Sequence, residues 1–349
     1  DYKCTKRDLS FFKGIEVIKS NKFSRSNFNR IINKLVIIFL GKNFLVEKFL
    51  IKNNIQILSH FSILGKKSKI PCIYWQPDFQ EINNPKHISF KRKIFRKFNI
   101  KLFSNHSSKV LLSSNTVKKE LKKLNIQGYK KAEVLRPTFS NLPNSSYKNL
   151  NYLKKKFKLK NNYFFLPNQF WIHKNHILVL KSLIHLKKIK KLKNIEIIST
   201  GLFNDYRNPD HKDKIIDIIK THKLENFFRI LGVVSYQDLL SLMKYSIAVI
   251  NPSKSEGWSS TVEQAKSLGK FVLLSNLPVH KEQNPRRSFF FKINDHLKLA
   301  KKLYYLNKNF SLKNELAFIK ESVNQTIKNK KVFILSYEKL IKKIIDSKN

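Results

Sequence analysis

The sequence predicts an α/β protein built as two doubly wound domains that face each other across a cleft. Two observations carry this. Short, continuous apolar runs alternate with amphipathic stretches, which is the pattern of parallel strands covered by helices on both faces. The chain of 349 residues is also long enough for two such domains, each with its own core. The segment Thr138–Leu150, "TFSNLPNSSYKNL", is rich in Asn, Ser and Pro and reads as the linker between them. The expected boundaries are 1–145, 146–330, and a C-terminal helix over 331–349 that packs back on the N-terminal domain.

In the N-terminal half the longest apolar run, "LVIIFL" (Leu35–Leu40), reads as a buried helix. "IQILSH" (Ile55–His60), "IPCIYW" (Ile70–Trp75), "KVLLSS" (Lys109–Ser114) and "AEVLRP" (Ala132–Pro137) are strand candidates with helical stretches between them. The C-terminal half is clearer. Strands are expected at "YFFLP" (Tyr163–Pro167), "IEIIST" (Ile195–Thr200), "FRILG" (Phe228–Gly232), "IAVINPS" (Ile247–Ser253) and "KFVLLSN" (Lys270–Asn276). Helices are expected over His176–Ile189, Lys212–His222, Tyr236–Ser246, with Ser235 as N-cap, and Thr261–Leu268.

The formal net charge is +47. Residues 1–150 hold 31 basic and 8 acidic side chains, +23, and the remainder holds +24, so the charge is spread evenly. Together with the abundance of Asn, Ile and Phe, this fits the codon bias of an AT-rich genome. An anionic membrane surface is the next reading. Nucleic acid comes last, because it calls for a clustered basic face with interleaved aromatics. The densest run, "KRKIFRK" (Lys91–Lys97), suits an amphipathic helix on anionic lipid and equally a solvated helix face. Cys4 and Cys72 make no disulfide framework or metal spacing, and the apolar runs fall far short of the roughly 20 residues needed to span a bilayer. These points suggest the cytoplasm, with peripheral contact at the inner face of the plasma membrane. The chain does not open with Met and shows no signal peptide, so its N-terminus is read as incomplete.

The stretch "FRILGVVSYQDLLSLMKYSIAVINPSKSEGWSSTVEQAKSLGKFVLLSNLPVHKEQ" resembles the donor-binding half of retaining GT-B glycosyltransferases of the GT4 family. Leu231-Gly232, Pro252-Ser253, Glu256-Gly257, Ala265, Gly269, Ser275, Pro278, His280 and Glu282 keep the family positions in order. Upstream, "LPNQFWIHKNH" (Leu166–His176) resembles the family's phosphate-contacting segment, with Lys174 at the Lys position and Gln169 in place of Arg. "YWQPDFQ" (Tyr74–Gln80) is similar to an N-domain segment of one branch. The family's glycine-rich first strand and loop are not visible, in keeping with an incomplete start. The resemblance implies two Rossmann-like domains and transfer of a sugar from a nucleotide-diphosphate sugar to a glycan or lipid-linked acceptor. It also implies retention of configuration, a role in surface polysaccharide synthesis, and no metal or other cofactor.

By the same resemblance, Lys174 neutralises the departing diphosphate and Glu256 contacts the donor sugar. Gln169, Gly232, Val233, Gly257, Trp258, Ser259, Ser260, Thr261 and Gln264 line the donor side. Ser259, Ser260 and Thr261 also precede a helix whose first N–H groups lack intrahelical partners, a natural phosphate site, or simply an N-cap. Asp78 either faces the donor or acceptor from the N-domain or caps its own turn. His173 and His176 lack further metal-ligand spacing and read as loop and helix-start polarity. Trp75 and Trp171 read as cleft-wall or core residues. In the family the second acidic position of the helix contacts the nucleotide ribose, and aligning on Glu256-Gly257 puts Gln264 there. Helical spacing leaves Gln264 on the flank of the buried stripe and Glu263 in solvent. Two further readings remain, a donor-binding but catalytically weak relative and a basic nucleic-acid-binding protein.

Overall fold

A computed structural model describes residues 16, 18, 27–60, 64–80, 89–124, 126–139, 146–205 and 207–347. Cys4 and the middle of the expected linker, residues 140–145, lie outside them. The N-terminal part opens with helices α1 (Asn27–Leu40) and α2 (Phe44–Lys52). Strands β1 (Leu58–Ser59) and β2 (Cys72–Gln76), helix α3 (Phe90–His106), strand β3 (Lys109–Leu112), helix α4 (Asn115–Lys123) and strand β4 (Ala132–Val134) follow. The four strands form one parallel sheet in the order β1-β2-β3-β4. The strand expected over Ile55–His60 shrinks to two residues, and "LVIIFL" is helical but mostly exposed: of Leu35–Leu40 only Ile37 is buried.

After α5 (Leu150–Phe157) come β5 (Tyr163–Pro167), α6 (His176–Lys188), β6 (Glu196–Thr200), α7 (His211–Thr221) and β7 (Phe228–Ile230). Then α8 (Tyr236–Tyr245), β8 (Val249–Asn251), α9 (Ser260–Ser267), β9 (Val272–Ser275), α10 (Pro278–Gln283), β10 (Ser288–Phe291) and α11 (His296–Lys308) complete the second unit. Its parallel sheet has six strands in the order β10-β9-β8-β5-β6-β7. Numbered from β5, this is the 3-2-1-4-5-6 order of dinucleotide-binding sheets, so the strand order reverses between β5 and β8. Strand interiors such as Phe164, Phe165, Ile197, Ile198, Val249 and Leu273 are fully buried, because helices cover both faces. Sequence patterning foresaw five of these strands; β10, "SFFF", lies beyond them.

The last helix, α12 (Leu312–Asp346), begins well before the expected 331. Near its start Glu315 receives Lys270 and Arg287, and the Phe318 carbonyl lies where a Cβ on Gly269 would stand. Near its end Phe333, Tyr337, Leu340, Ile341 and Ile344 pack against Ile73, Leu111 and Leu135 of the N-terminal sheet. No helix among the described residues is long and apolar enough to cross a membrane.

Candidate functional site

The reversal of strand order opens a crevice at the carboxyl ends of β5 and β8, and the loops after those strands fill it. The loop after β5 makes a short 3-10 turn, Ile172–Lys174, and ends at Asn175, whose left-handed backbone (φ +60°) starts α6. Asn175 pins this turn to the neighbouring loop by donating from Nδ2 to the Pro252 carbonyl at 3.1 Å. The two loops are thereby held so that Lys174 Nζ meets Glu256 Oε1 at 2.7 Å. Both side chains are largely buried, Glu256 at 6% exposure.

A chain of buried polar groups fixes the carboxylate. Ser253 Oγ donates to Glu256 Oε1 and lies 2.7 Å from Asn251 Oδ1, while Asn251 Nδ2 donates to Ser259 Oγ at 2.7 Å. His280 stands beside this chain with Nδ1 2.8 Å from the Ser275 carbonyl. Burial pushes the Glu256 carboxyl up. Lys174, His280 and the hydrogen bonds from Lys174 and Ser253 together outweigh it and hold the group below the usual carboxylate range. Burial, reinforced by Lys174, pulls His173 down to about 4. Burial, reinforced by His211, pulls His176 down to about 3. Both imidazoles are therefore neutral near pH 7. His173 lies in the loop's 3-10 turn and His176 opens α6, both buried; His176 stacks on Phe170 with ring centres 4.1 Å apart. Among the described residues no three His, Cys, Asp or Glu side chains are grouped to hold a metal ion.

Helix α9 points its N-terminus into the same crevice. Ser259 caps it, its hydroxyl accepting from Val262 N, and Thr261 Oγ1 donates to the Pro167 carbonyl at 3.2 Å. These hydroxyls are engaged inward, whereas Ser260 is exposed at the first turn, where helix N–H groups lack intrahelical partners. Gln264 is half-buried and its side chain makes no hydrogen bond among the described residues. Glu263 corrects the expectation of a solvated residue. It is 6% exposed, bonded to Lys266 Nζ at 3.0 Å and to Gln283 Nε2 at 3.0 Å. Gln283 arrives from α10 and also brackets the Ser259 backbone, a tertiary contact that helix periodicity cannot reveal. A cavity of about 490 Å³ lies beside this residue, between α9, the loop after α10 and α12; its lining includes none of Lys174, Glu256 and Gln264.

The remaining sequence-predicted residues ring the crevice. Gly232 has a left-handed backbone (φ +70°) with open space where a Cβ would stand, and Val233 beside it is exposed. Gln169 is exposed after β5. Across the cleft, Gly257 lies so close to the N-terminal unit that a Cβ there would stand 2.1 Å from the Pro77 carbonyl oxygen and 2.7 Å from Asp78 Cβ. Asp78 caps its own turn by accepting from Gln80 N at 3.1 Å. Trp258 does not face the open crevice with its polar edge: its indole N–H donates to the Pro137 carbonyl in the connecting segment, at 2.9 Å. Trp75 is not a core residue; it is exposed and tilted against His60.

One contact across the cleft had no counterpart in the sequence reading beyond the motif position of Glu282. Its carboxylate leaves α10 and accepts from the backbone N–H of Asn115 at 2.8 Å and of Thr116 at 3.0 Å, capping α4 of the other unit. Arg136 Nη2 joins it at 2.9 Å. Burial raises the Glu282 carboxyl, and the two backbone bonds with Arg136 overcome this and lower it.

Comparison with known proteins agrees with this geometry. The protein-family model described as "Glycosyl transferases group 1" matches residues 149–331. Among solved structures, a glycosyltransferase from Rickettsia africae ESF-5 superposes with TM-score 0.66 at 18% identity, covering 95% of this chain and 84% of that one. Anabaena Alr3699/HepE, solved with UDP and glucose, gives 0.64 at 16%, covering 87% and 81%. Sucrose-phosphate synthase (tll1590) from Thermosynechococcus elongatus gives 0.65 at 10%, covering 86% and 77%. No curated protein matches by sequence. The structural likenesses fix the architecture as GT-B, two parallel α/β units. The family match spans just over half of the chain and takes in the crevice, α9 and the Lys174–Glu256 pair: this protein belongs to the glycosyl transferases group 1 family.

Proposed function

We propose that the protein is a retaining glycosyltransferase of the GT4 group. It moves a sugar from a nucleotide-diphosphate sugar to a glycan or lipid-linked acceptor in surface polysaccharide assembly. The reaction is placed in the cytoplasm, with peripheral contact at the inner face of the plasma membrane. The observation that carries this reading is the buried Lys174–Glu256 pair at the switch point of a group 1 transferase domain. The UDP and glucose held by HepE support a nucleotide-sugar donor.

In this scheme the donor diphosphate replaces Glu256 as the partner of Lys174 and rests on the N-terminus of α9. The ammonium and the backbone N–H groups offset the charge that develops as the leaving group departs, so the scheme calls for no metal. Released from the ion pair, Glu256 accepts hydrogen bonds from donor-sugar hydroxyls as the ring becomes oxocarbenium-like. Gln264 bonds the ribose, Gly232 and Val233 frame the base, and Asp78 lies on the acceptor side. A second reading, a donor-binding but weakly catalytic protein, draws on the neutral Gln169 and Gln264, which stand where the family has charged residues.

Purified protein should show a rise in Tm with one of the common UDP-, GDP- or ADP-sugars and release the nucleoside diphosphate. Lys174→Ala should lower kcat about 100-fold or more. No binding and no release with any donor would sink the proposal. Tight donor binding with negligible turnover would select the second reading.

A further inference from the structure

Two helices of the N-terminal unit present apolar stripes to water. On α1, Ile31, Leu35, Ile38 and Phe39 share one side and are all exposed, Phe39 at 79%. On α3, Phe90, Ile94 and Phe98 recur at every fourth position with exposures of 75%, 54% and 50%, and Phe95 beside them is 59% exposed. The helices are in contact. Lys34 Nζ donates to Asn99 Oδ1 at 2.8 Å and lies 4.6 Å from the centre of the Phe95 ring, while Ile37 packs with Leu102 and Phe103. The stripes therefore flank a common seam.

Helix α3 carries six basic residues and no acidic one, "FKRKIFRKFNIKLFSNH". At 100° per residue, Lys97 and Lys101 fall within the Phe90–Ile94–Phe98 side. The geometry points to a membrane-docking face. The seam of α1 and α3 lies on a bilayer rich in anionic lipid, with the apolar stripes in the headgroup–acyl boundary and the lysines on lipid phosphates. Charge complementarity selects this occupant, because a second copy would set one basic α3 against another. The inference names a surface for the peripheral contact proposed above and is independent of the transfer chemistry.

Vesicle co-sedimentation of the full chain tests it, without donor, on phosphatidylcholine alone and on phosphatidylcholine mixed with phosphatidylglycerol. The expected result is binding only to the anionic mixture, weakening with salt. Phe98→Glu should reduce the bound fraction about tenfold, and the triple variant Lys91→Gln, Lys97→Gln, Lys101→Gln should do at least as much. A control with the same charge loss on the other unit, Lys188→Gln, Lys190→Gln, Lys193→Gln, should bind as the parent does. Melting curves confirm that each variant is folded. Equal losses in both triple variants would overturn the inference in favour of a diffuse effect of net charge. No vesicle binding, or a dimer abolished by Phe98→Glu, would overturn it in favour of a bare surface or a self-association face. Loss of donor turnover with intact vesicle binding would sink only the transferase proposal.

Discussion

Glu263 and Gln264 are neighbours on α9 with opposite surroundings, and their replacements should separate cleanly. Gln264→Ala is expected to weaken donor binding about tenfold while leaving Tm unchanged, since its side chain makes no hydrogen bond among the described residues. Glu263→Ala removes the buried carboxylate that Lys266 Nζ and Gln283 Nε2 share, leaving each with a single backbone carbonyl. It should cost about 1–3 kcal/mol of stability, read by denaturant titration, with donor affinity retained by the fraction that folds. The converse pattern would mean that Glu263 faces the ligand. At this scale the sequence was legible where a residue's role depends on its own loop. Lys174 and Glu256 follow strands that are plain apolar runs, and the structure brings them to 2.7 Å. It was not legible where a partner comes from elsewhere: nothing in the eight residues of α9 announces that Gln283 closes over Glu263.

Among the elements, the short helix α10 makes a contact beyond its own sheet. Its Glu282 caps α4 across the cleft, much as a carboxylate caps a helix within one domain. Glu282→Gln keeps the shape and loses the charge. It should lower kcat by on the order of tenfold to a hundredfold through looser positioning. The donor dissociation constant should stay unchanged, because the proposed donor contacts are almost all on the other side of the latch. A shift in donor affinity with constant kcat would refute this role. Elements also differed in how plainly they could be read. The interior strands β5, β6, β8 and β9 are buried on both faces and so each carries a continuous apolar run. Strand β10 sits at the sheet edge with Ser288, Phe289 and Phe290 only partly buried, and the helix before it, α10, has only six residues. Helix α1 misled because its apolar residues look like core, whereas most of them face outward.

For the whole molecule, the buried imidazoles set a pH limit. His173 and His176 titrate at about 4 and about 3 in the folded state against about 6.5 when unfolded. The unfolded chain therefore binds more protons between these values, and stability falls as pH drops below about 6.5. By pH 5 the loss should be on the order of 2 kcal/mol for each, seen as a lower denaturant midpoint at pH 5 than at pH 7. Equal midpoints would refute burial of these rings in the neutral form. The division into two α/β units was visible in the alternation of runs, but the span of α12 was not. Its 35 residues extend about 50 Å, and one side of it meets the second unit at Glu315 and Ser322 and then the N-terminal sheet at Phe333, Tyr337 and Ile344. This helix and the segment near Pro137 both pass between the units. Two crossings define a line, as two hinges define the swing of a door. Rotation about that line that widened the mouth of the crevice would have to part the bonds from Asn115 and Thr116 to Glu282.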